Sequence, residues 1–150
     1  MHIIVDTREQ RALEFKCETI RKCLKFGDYG AEIGDYRIPV VFERKGLADL
    51  YGSLTAGYDR LRRVFERAEK AKFRLIIVIE GTKERVLEGY SHSAREPASI
   101  IKQLETIERK YGVTHHFFKT RHQMSTHIEE FFRGYESDQT PSRSDPIQRT

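Results

Sequence analysis

Cysteine is scarce in this chain, and two residues of it in 150 already close several routes. Cys17 and Cys23 stand too far apart for a C-x-x-C site, and no third or fourth cysteine completes a zinc knuckle. They read as reduced, structural thiols. Histidine offers no substitute: the six include one adjacent pair, His115-His116, before Phe117-Phe118, and no H-E-x-x-H, so zinc catalysis is not expected. Long apolar runs are missing too. Nothing approaches the ~18 residues that cross a bilayer, and the opening Met1-His2-Ile3-Ile4-Val5-Asp6 lacks a basic stretch leading into an apolar segment. The expectation is no membrane and a cytoplasmic chain, nucleoid-associated in a prokaryote or nuclear in a eukaryote. There is no internal repeat and no heptad pattern. Nor does one charge dominate: 27 basic against 23 acidic residues leave a net charge of +4, so any positive surface for a polyanion has to be made locally. At 150 residues and 38% hydrophobic content, one domain with a real core fits and nothing suggests a second.

What the chain does have is a strand-like apolar run ending in charge, Val40-Val41-Phe42-Glu43-Arg44-Lys45, with Asp49 four residues past the lysine. Side chains alternate along an extended segment, so Glu43 and Lys45 share one face while Phe42 and Arg44 share the other. A carboxylate beside an ammonium suits a hard divalent cation with a lysine that orients water or neutralises charge on a phosphate. Alone the pattern is weak, because Glu-x-Lys arises by chance on solvated faces of a chain that is 33% charged.

A second carboxylate strengthens it. Gly-Asp-Tyr occurs at Gly27-Asp28-Tyr29 and again at Gly34-Asp35-Tyr36, and the later copy lies midway between Asp28 and Glu43. Gly34-Asp35 therefore reads as a hairpin turn, with Ile33 facing Tyr36. Counting back along the ladder sets Asp28 opposite Val41, a diagonal neighbour of Glu43 at a Cβ separation of roughly 7–8 Å, which a metal ion can bridge. Asp35 would lie roughly 26 Å from Glu43 at 3.3 Å per residue, which makes it a turn residue. The competing reading of Asp28, as a turn aspartate after Gly27, stays open. So does that of the opening cluster Asp6-Thr7-Arg8-Glu9. Asp6 and Glu9 read either as further metal ligands with Arg8 on a phosphate or a carboxylate, or as a solvated strand end.

Together, Val-Asp-Thr-Arg-Glu-Gln near the start, Gly27-Asp28-Tyr29, Glu-Arg-Lys-x-x-x-Asp from Glu43 to Asp49, and Val78-Ile79-Glu80-Gly81 resemble the XPF/MUS-type nuclease domain, in order across roughly residues 2 to 135. The resemblance implies a restriction-endonuclease-like α/β core, a three-layer fold with a central mixed sheet between helices. It implies an endonuclease that hydrolyses DNA phosphodiesters at branches, flaps or forks with Mg²⁺ or Mn²⁺, leaving 5′-phosphate and 3′-hydroxyl ends. Asp28, Glu43 and Lys45 match the metal-site positions, and Asp6, Arg8, Glu9, Arg44 and Asp49 match charged positions of the motifs. Arg44, with Arg8, is expected to neutralise phosphate, and Asp49 to orient Arg44 or Lys45. A second metal near Asp6 or Glu9 stays open, and the Phe42 or Arg44 carbonyl is a further oxygen for the first. Branch cutters of this family usually carry a tandem helix-hairpin-helix module, which this sequence does not show, and a helicase or junction-binding partner for branch reading stays open. The family also pairs nuclease domains, which implies a homodimer, with Phe117, Phe118, Phe131 and Phe132 as its face or as plain core. A non-catalytic DNA-binding subunit and a duplex-cutting restriction-like nuclease are the alternatives.

Hydrophobic periodicity sets out the rest. A strand near Ile3–Val5 leads into a short helix or irregular stretch from Arg11 to Lys22, and then to the hairpin from about Leu24 to Lys45. Leu47, Leu50, Tyr51 and Leu54 make one helical face, and Leu61, Val64, Phe65 and Ala68 another. The second helix, about Tyr58 to Lys72, carries Arg60, Arg62, Arg63, Arg67, Lys70 and Lys72 elsewhere. These read as a track for a phosphate backbone, or as an ordinary solvated face with Asp59–Arg63 and Glu66–Lys70 pairs. Phe73 to Glu80 is a strand apolar on both faces. Lys83 to Glu96 reads as loop and short helix, Ser99 to Tyr111 as a helix begun by Pro97 and stopped by Gly112, Val113 to Phe118 as a strand, and Gln123 to Phe132 as a last helix. The domain is expected to end near 135, with 136–150 a disordered tail.

Overall fold

Branched side chains throughout Leu-Ile-Ile-Val-Ile commit residues 74–80 to a strand buried on both faces, and the fold is organised around it. A computed structural model describes residues 1–139. In chain order its elements are β1 (His2–Asp6), β2 (Thr19–Lys22), β3 (Tyr29–Ile33), β4 (Tyr36–Arg37), β5 (Val40–Lys45), α1 (Leu47–Leu54), α2 (Tyr58–Lys70), β6 (Arg74–Glu80), α3 (Lys83–Leu87), α4 (Pro97–Tyr111), β7 (Thr114–Phe118) and α5 (Arg121–Gln139). The sheet runs β2-β1-β3-β5-β6-β7, with β4 on β3, and it is mixed: β1 pairs antiparallel with β3, and β3 with β5, while β5, β6 and β7 are parallel. Helices cover both sides. Leu75, Ile77 and Ile79 pack with Val41 under α1, α2 and α4, whereas Ile76 and Val78 pack with Phe42 against Met124, Ile128 and Phe132 of α5. This is the three-layer α/β arrangement expected from the sequence.

Four expectations change. Residues 19–22 form a strand, β2, parallel to β1, where a helix or irregular stretch is expected. Thr-Ile-Arg-Lys at a sheet edge is mostly exposed, so no apolar alternation marks it. The last helix extends at both ends, from Arg121 to Gln139, and so passes the expected domain end near 135; the remainder of the expected tail, 140–150, lies outside the described residues. Phe132 is fully buried, and its ring meets Phe42 at 5.3 Å and Phe131 at 5.7 Å, so it serves the core and not an exposed pairing face.

The fourth concerns the hairpin register. Gly34 and Asp35 do form its turn, with Ile33 opposite Tyr36 and Gly34 at φ +58°. Past Arg37 the ladder slips. Ile38 N–H still bonds Ala31 O, Pro39 has no N–H to offer, and β5 then pairs two residues further on, with Tyr29 opposite Phe42. An even slip leaves every side chain on its own face. It moves Asp28 from opposite Val41 to opposite Glu43.

Candidate active site

Gly27 shows how the chain places Asp28. Its φ is +80°, and a Cβ there would meet Val41 Cβ at 2.8 Å and Phe42 O at 3.3 Å, so only glycine lets this backbone lie against β5. Asp28 N–H then donates to Phe42 O at 2.7 Å, and Arg44 N–H donates to Asp28 Oδ2 at 2.7 Å. The Asp28 carboxylate is thereby fastened beside the Glu43–Lys45 step of β5. Lys45 Nζ lies 3.4 Å from Glu43 Oε1, and both side chains keep about one-sixth of their surface, 16% and 17%, open to solvent.

Two carboxylates in one partly buried place oppose each other's ionisation. Burial, and next the Glu43 charge, push the Asp28 carboxyl up to about 8. Burial also raises Glu43, against the pull of Lys45. A divalent cation would reverse both penalties, so the donor set fits one hard ion. Among the described residues no third His, Cys, Asp or Glu side chain joins them. Of the two carbonyls considered, Phe42 O already accepts the Asp28 N–H, which favours that of Arg44.

The other acidic residues are engaged elsewhere, which corrects the larger ligand set. Asp6 is buried, with Oδ1 accepting Leu24 N–H at 2.8 Å and Oδ2 accepting Arg8 Nε–H at 2.7 Å. These partners hold its carboxyl below its ordinary value although burial, the largest influence, opposes them. Glu9 Oε2 accepts from Tyr29 Oη–H at 2.8 Å and from Arg44 Nε–H at 3.0 Å. Both carboxylates are tied into the frame and not presented to a metal.

Arg44 is corrected too. Its guanidinium bridges Glu9 and, at 3.0 Å, Glu80, on the far side of β5 from Lys45, so it is not free to meet a phosphate. Arg121, at the start of α5, bonds the same Glu80 oxygen and the Arg11 carbonyl. Nothing in the local sequence around Arg121 signals this role, because it depends on where α5 crosses the sheet. Asp49 does not orient Arg44 or Lys45: it is exposed in the first turn of α1 and makes no ion pair among the described residues. Arg8, by contrast, is two-thirds exposed and held by Asp6 and by Leu24 O, and its charge joins that of Lys45 in opposing the burial that raises the Glu43 carboxyl. It is the open cation beside the pair.

A groove of about 330 Å³ leads away from the site, lined by Glu43, Lys45, Asp49, Gly52, Gly57 and Arg60 among others. Gly57 permits the tight α1–α2 turn, since a Cβ there would meet Gly52 O at 3.2 Å. Along α2 the expected pairs are replaced: Arg62 reaches Asp59 at 3.6 Å and Glu66 at 3.8 Å, and Arg63 bonds the Asp59 carbonyl. Arg62 is thus neutralised, while Arg60, Arg63 and Arg67 remain exposed without ion pairs among the described residues.

A model of the ERCC4 domain matches residues 5–131. Among solved structures, XPF from Aeropyrum pernix superposes with a TM-score of 0.70 at 22% identity, covering 91% of this chain and 65% of that one. The same protein in complex with DNA superposes with a TM-score of 0.69 at 19% identity, covering 96% and 69%. The chain thus spans about two-thirds of the length of these solved relatives. No curated protein matches.

Proposed function

The chain belongs to the ERCC4 domain family, as an XPF-type nuclease domain, and from its site we propose that it hydrolyses DNA phosphodiester bonds with Mg²⁺ or Mn²⁺. The observation that carries this reading is the Asp28–Glu43–Lys45 cluster, two carboxylates with raised pKa values and one ammonium, of which Glu43 and Lys45 line a groove. Asp28 and Glu43 would hold the ion, with the Arg44 carbonyl as a further oxygen. When bound, the ion supplies charge neutralisation at the phosphate and a more acidic water. Lys45 orients the attacking water and offsets charge as it builds on the phosphate. Arg8, steadied by Asp6, receives a neighbouring phosphate oxygen. Asp49 lines the same groove as Arg60 and takes no part in the chemistry.

DNA is the polyanion that this surface suits, with Arg60, Arg63 and Arg67 of α2 as backbone contacts and Arg62 as a weaker one. The complex of the Aeropyrum pernix relative with DNA supports that choice. We further propose branched, flap or fork DNA as substrate, with branch recognition by a helicase or junction-binding partner or by a second copy of this chain. One chain supplies Asp28, Glu43 and Lys45, so pairing is not needed to complete the site.

The test is cleavage of labelled splayed-arm, 3′-flap and blunt duplex DNA with Mg²⁺, Mn²⁺ or EDTA. Wild type is compared with Asp28→Asn, Lys45→Ala and, as a control in the exposed hairpin turn, Asp35→Ala. Metal-dependent cutting that is lost in the first two variants and kept in the third supports the site. DNA binding with no cutting under either metal would reassign the chain as a binding subunit.

A further inference from the structure

The groove beside Glu43 and Lys45 does not end at Arg60. Arg60 also begins a second depression, of about 520 Å³, lined by Arg60, Arg63, Glu66, Arg67 and Lys70. These cations recur at i, i+3, i+7 and i+10 on one stripe of α2, a span of about 15 Å at 1.5 Å per residue. Arg67 and Lys70 in turn border a third depression, of about 420 Å³, with Lys25, Phe26 and Ala71. Arg60 borders the first two and Arg67 and Lys70 border the last two, so the three follow one another along α2 from Glu43 and Lys45 to Lys25 and Phe26.

The far end differs in character from the middle. Phe26 belongs to the core, its ring fixed edge-on to Phe73 at 5.3 Å, and the 8% of it left exposed lines the third depression together with Ala71. Lys25, Arg67 and Lys70 line the same depression, exposed and without ion pairs among the described residues. Along the whole path the one anion beyond Asp49 is Glu66, which is already paired with Arg62. Cations along a helix followed by a rigid apolar notch ringed by cations are complementary to a strand with phosphates on one side and an unstacked base on the other.

We propose that this path carries a single DNA strand away from the cleavage site, its phosphates on Arg60, Arg63, Arg67 and Lys70 and one unpaired base against Phe26 in the notch. A duplex laid on α2 would use the arginines but leave the notch empty, because its bases present no free face. The proposal rests on the reading of the Asp28–Glu43–Lys45 cluster as a DNA-cleaving site, and it names which form of DNA that site receives.

Binding in EDTA separates the two claims, since it does not depend on cleavage. Fluorescence anisotropy is measured for a short oligothymidine, for the same backbone with abasic residues, and for a blunt duplex. Phe26→Ala would disturb the core, so the notch is filled from its exposed rim with Ala71→Gln, and its cations are removed with Lys25→Ala/Lys70→Ala. The abasic strand is expected to bind about fivefold or more weakly than oligothymidine, in line with the loss of one base contact. Ala71→Gln should impose a similar loss on oligothymidine and none on the abasic strand. The double variant should weaken both strands and flatten the salt dependence by about 1.4 in log–log slope. Equal binding of the two strands, or an Ala71→Gln effect that is the same for both, would overturn the base notch. Tighter binding of the blunt duplex, weakened equally by Ala71→Gln, would assign the path to duplex instead.

Discussion

The backbone N–H of Arg44 donates to Asp28 Oδ2 at 2.7 Å, so the strand that carries Glu43 and Lys45 also anchors the carboxylate that faces them. An asparagine at 28 can keep that hydrogen bond through its side-chain oxygen while removing the charge. Asp28→Asn is therefore expected to fold, to keep its DNA affinity in EDTA and to lose cleavage by about 100-fold or more, as charge removal at a metal site does. Unfolding curves beside cleavage rates check this, and a variant that is both inactive and unfolded would contradict the role given to the Arg44 bond.

Stability without metal should depend on pH through the same group. The Asp28 carboxyl rises from 3.8 to about 8 on folding, chiefly by burial and then by Glu43, so the folded state binds the proton more tightly than the unfolded one. The stabilisation is fully present below pH ~4 and is lost as pH rises through about 8. In EDTA, Tm should fall between these limits relative to Asp28→Asn. Mg²⁺ should restore more at pH 8 than at pH 5, because it competes with protons for the carboxylates. A pH-independent difference between the two proteins would remove the basis for a strained carboxylate pair.

Gly27→Ala tests the close approach that sets the register. Both the positive φ and the 2.8 Å contact with Val41 Cβ oppose any side chain there. A loss of about 1–3 kcal/mol is expected from backbone strain, with cleavage falling further than stability as Asp28 is pushed off β5. Chemical denaturation gives the first quantity and single-turnover rates the second.

Arg44→Met leaves Glu9 and Glu80 without their shared partner. Breaking such a pair costs about 3–5 kcal/mol when fully buried, and about 2–3 kcal/mol is the appropriate expectation here since Glu80 remains 27% exposed and keeps Arg121. Urea unfolding measures it. A stable protein with a selective loss of cleavage would return Arg44 to the phosphate.

Gly52 lies inside α1, lines the groove, and has nothing within 4 Å of where a Cβ would stand. Gly52→Ala should therefore stabilise the fold by about 1 kcal/mol through helix propensity alone. If DNA lies along the groove floor, the same methyl weakens cleavage through KM. A more stable enzyme with unchanged KM would place the substrate elsewhere.

Much of this architecture was legible in the residues. The two-sided apolar run Leu75–Ile79, the helical faces of Leu47–Leu54 and Leu61–Ala68, and the stop at Gly112 all follow from local periodicity and backbone preference, which need no knowledge of the remote chain. Alternation along Val41–Lys45 likewise separates Glu43 and Lys45 from Arg44, and Gly34-Asp35 marks the turn. The edge strand β2 escaped because an exposed edge carries no apolar pattern.

What depended on long-range packing was the assignment of charges. Asp6, Glu9, Asp28 and Glu43 are alike as residue types, and their number in the chain does not say which will meet an arginine. Tertiary structure divided them: Asp6 to Arg8 and Leu24, Glu9 to Tyr29 and Arg44, and Asp28 to the strand beside Glu43 after the slip at Pro39. Sequence by itself determined the elements, the two faces of the sheet and the motif at Glu43–Lys45, because these depend on short-range sterics and burial. Only the folded chain decided which carboxylates are neutralised by arginine and which are left facing each other, because Coulomb and desolvation energies depend on distances between residues as much as 41 positions apart.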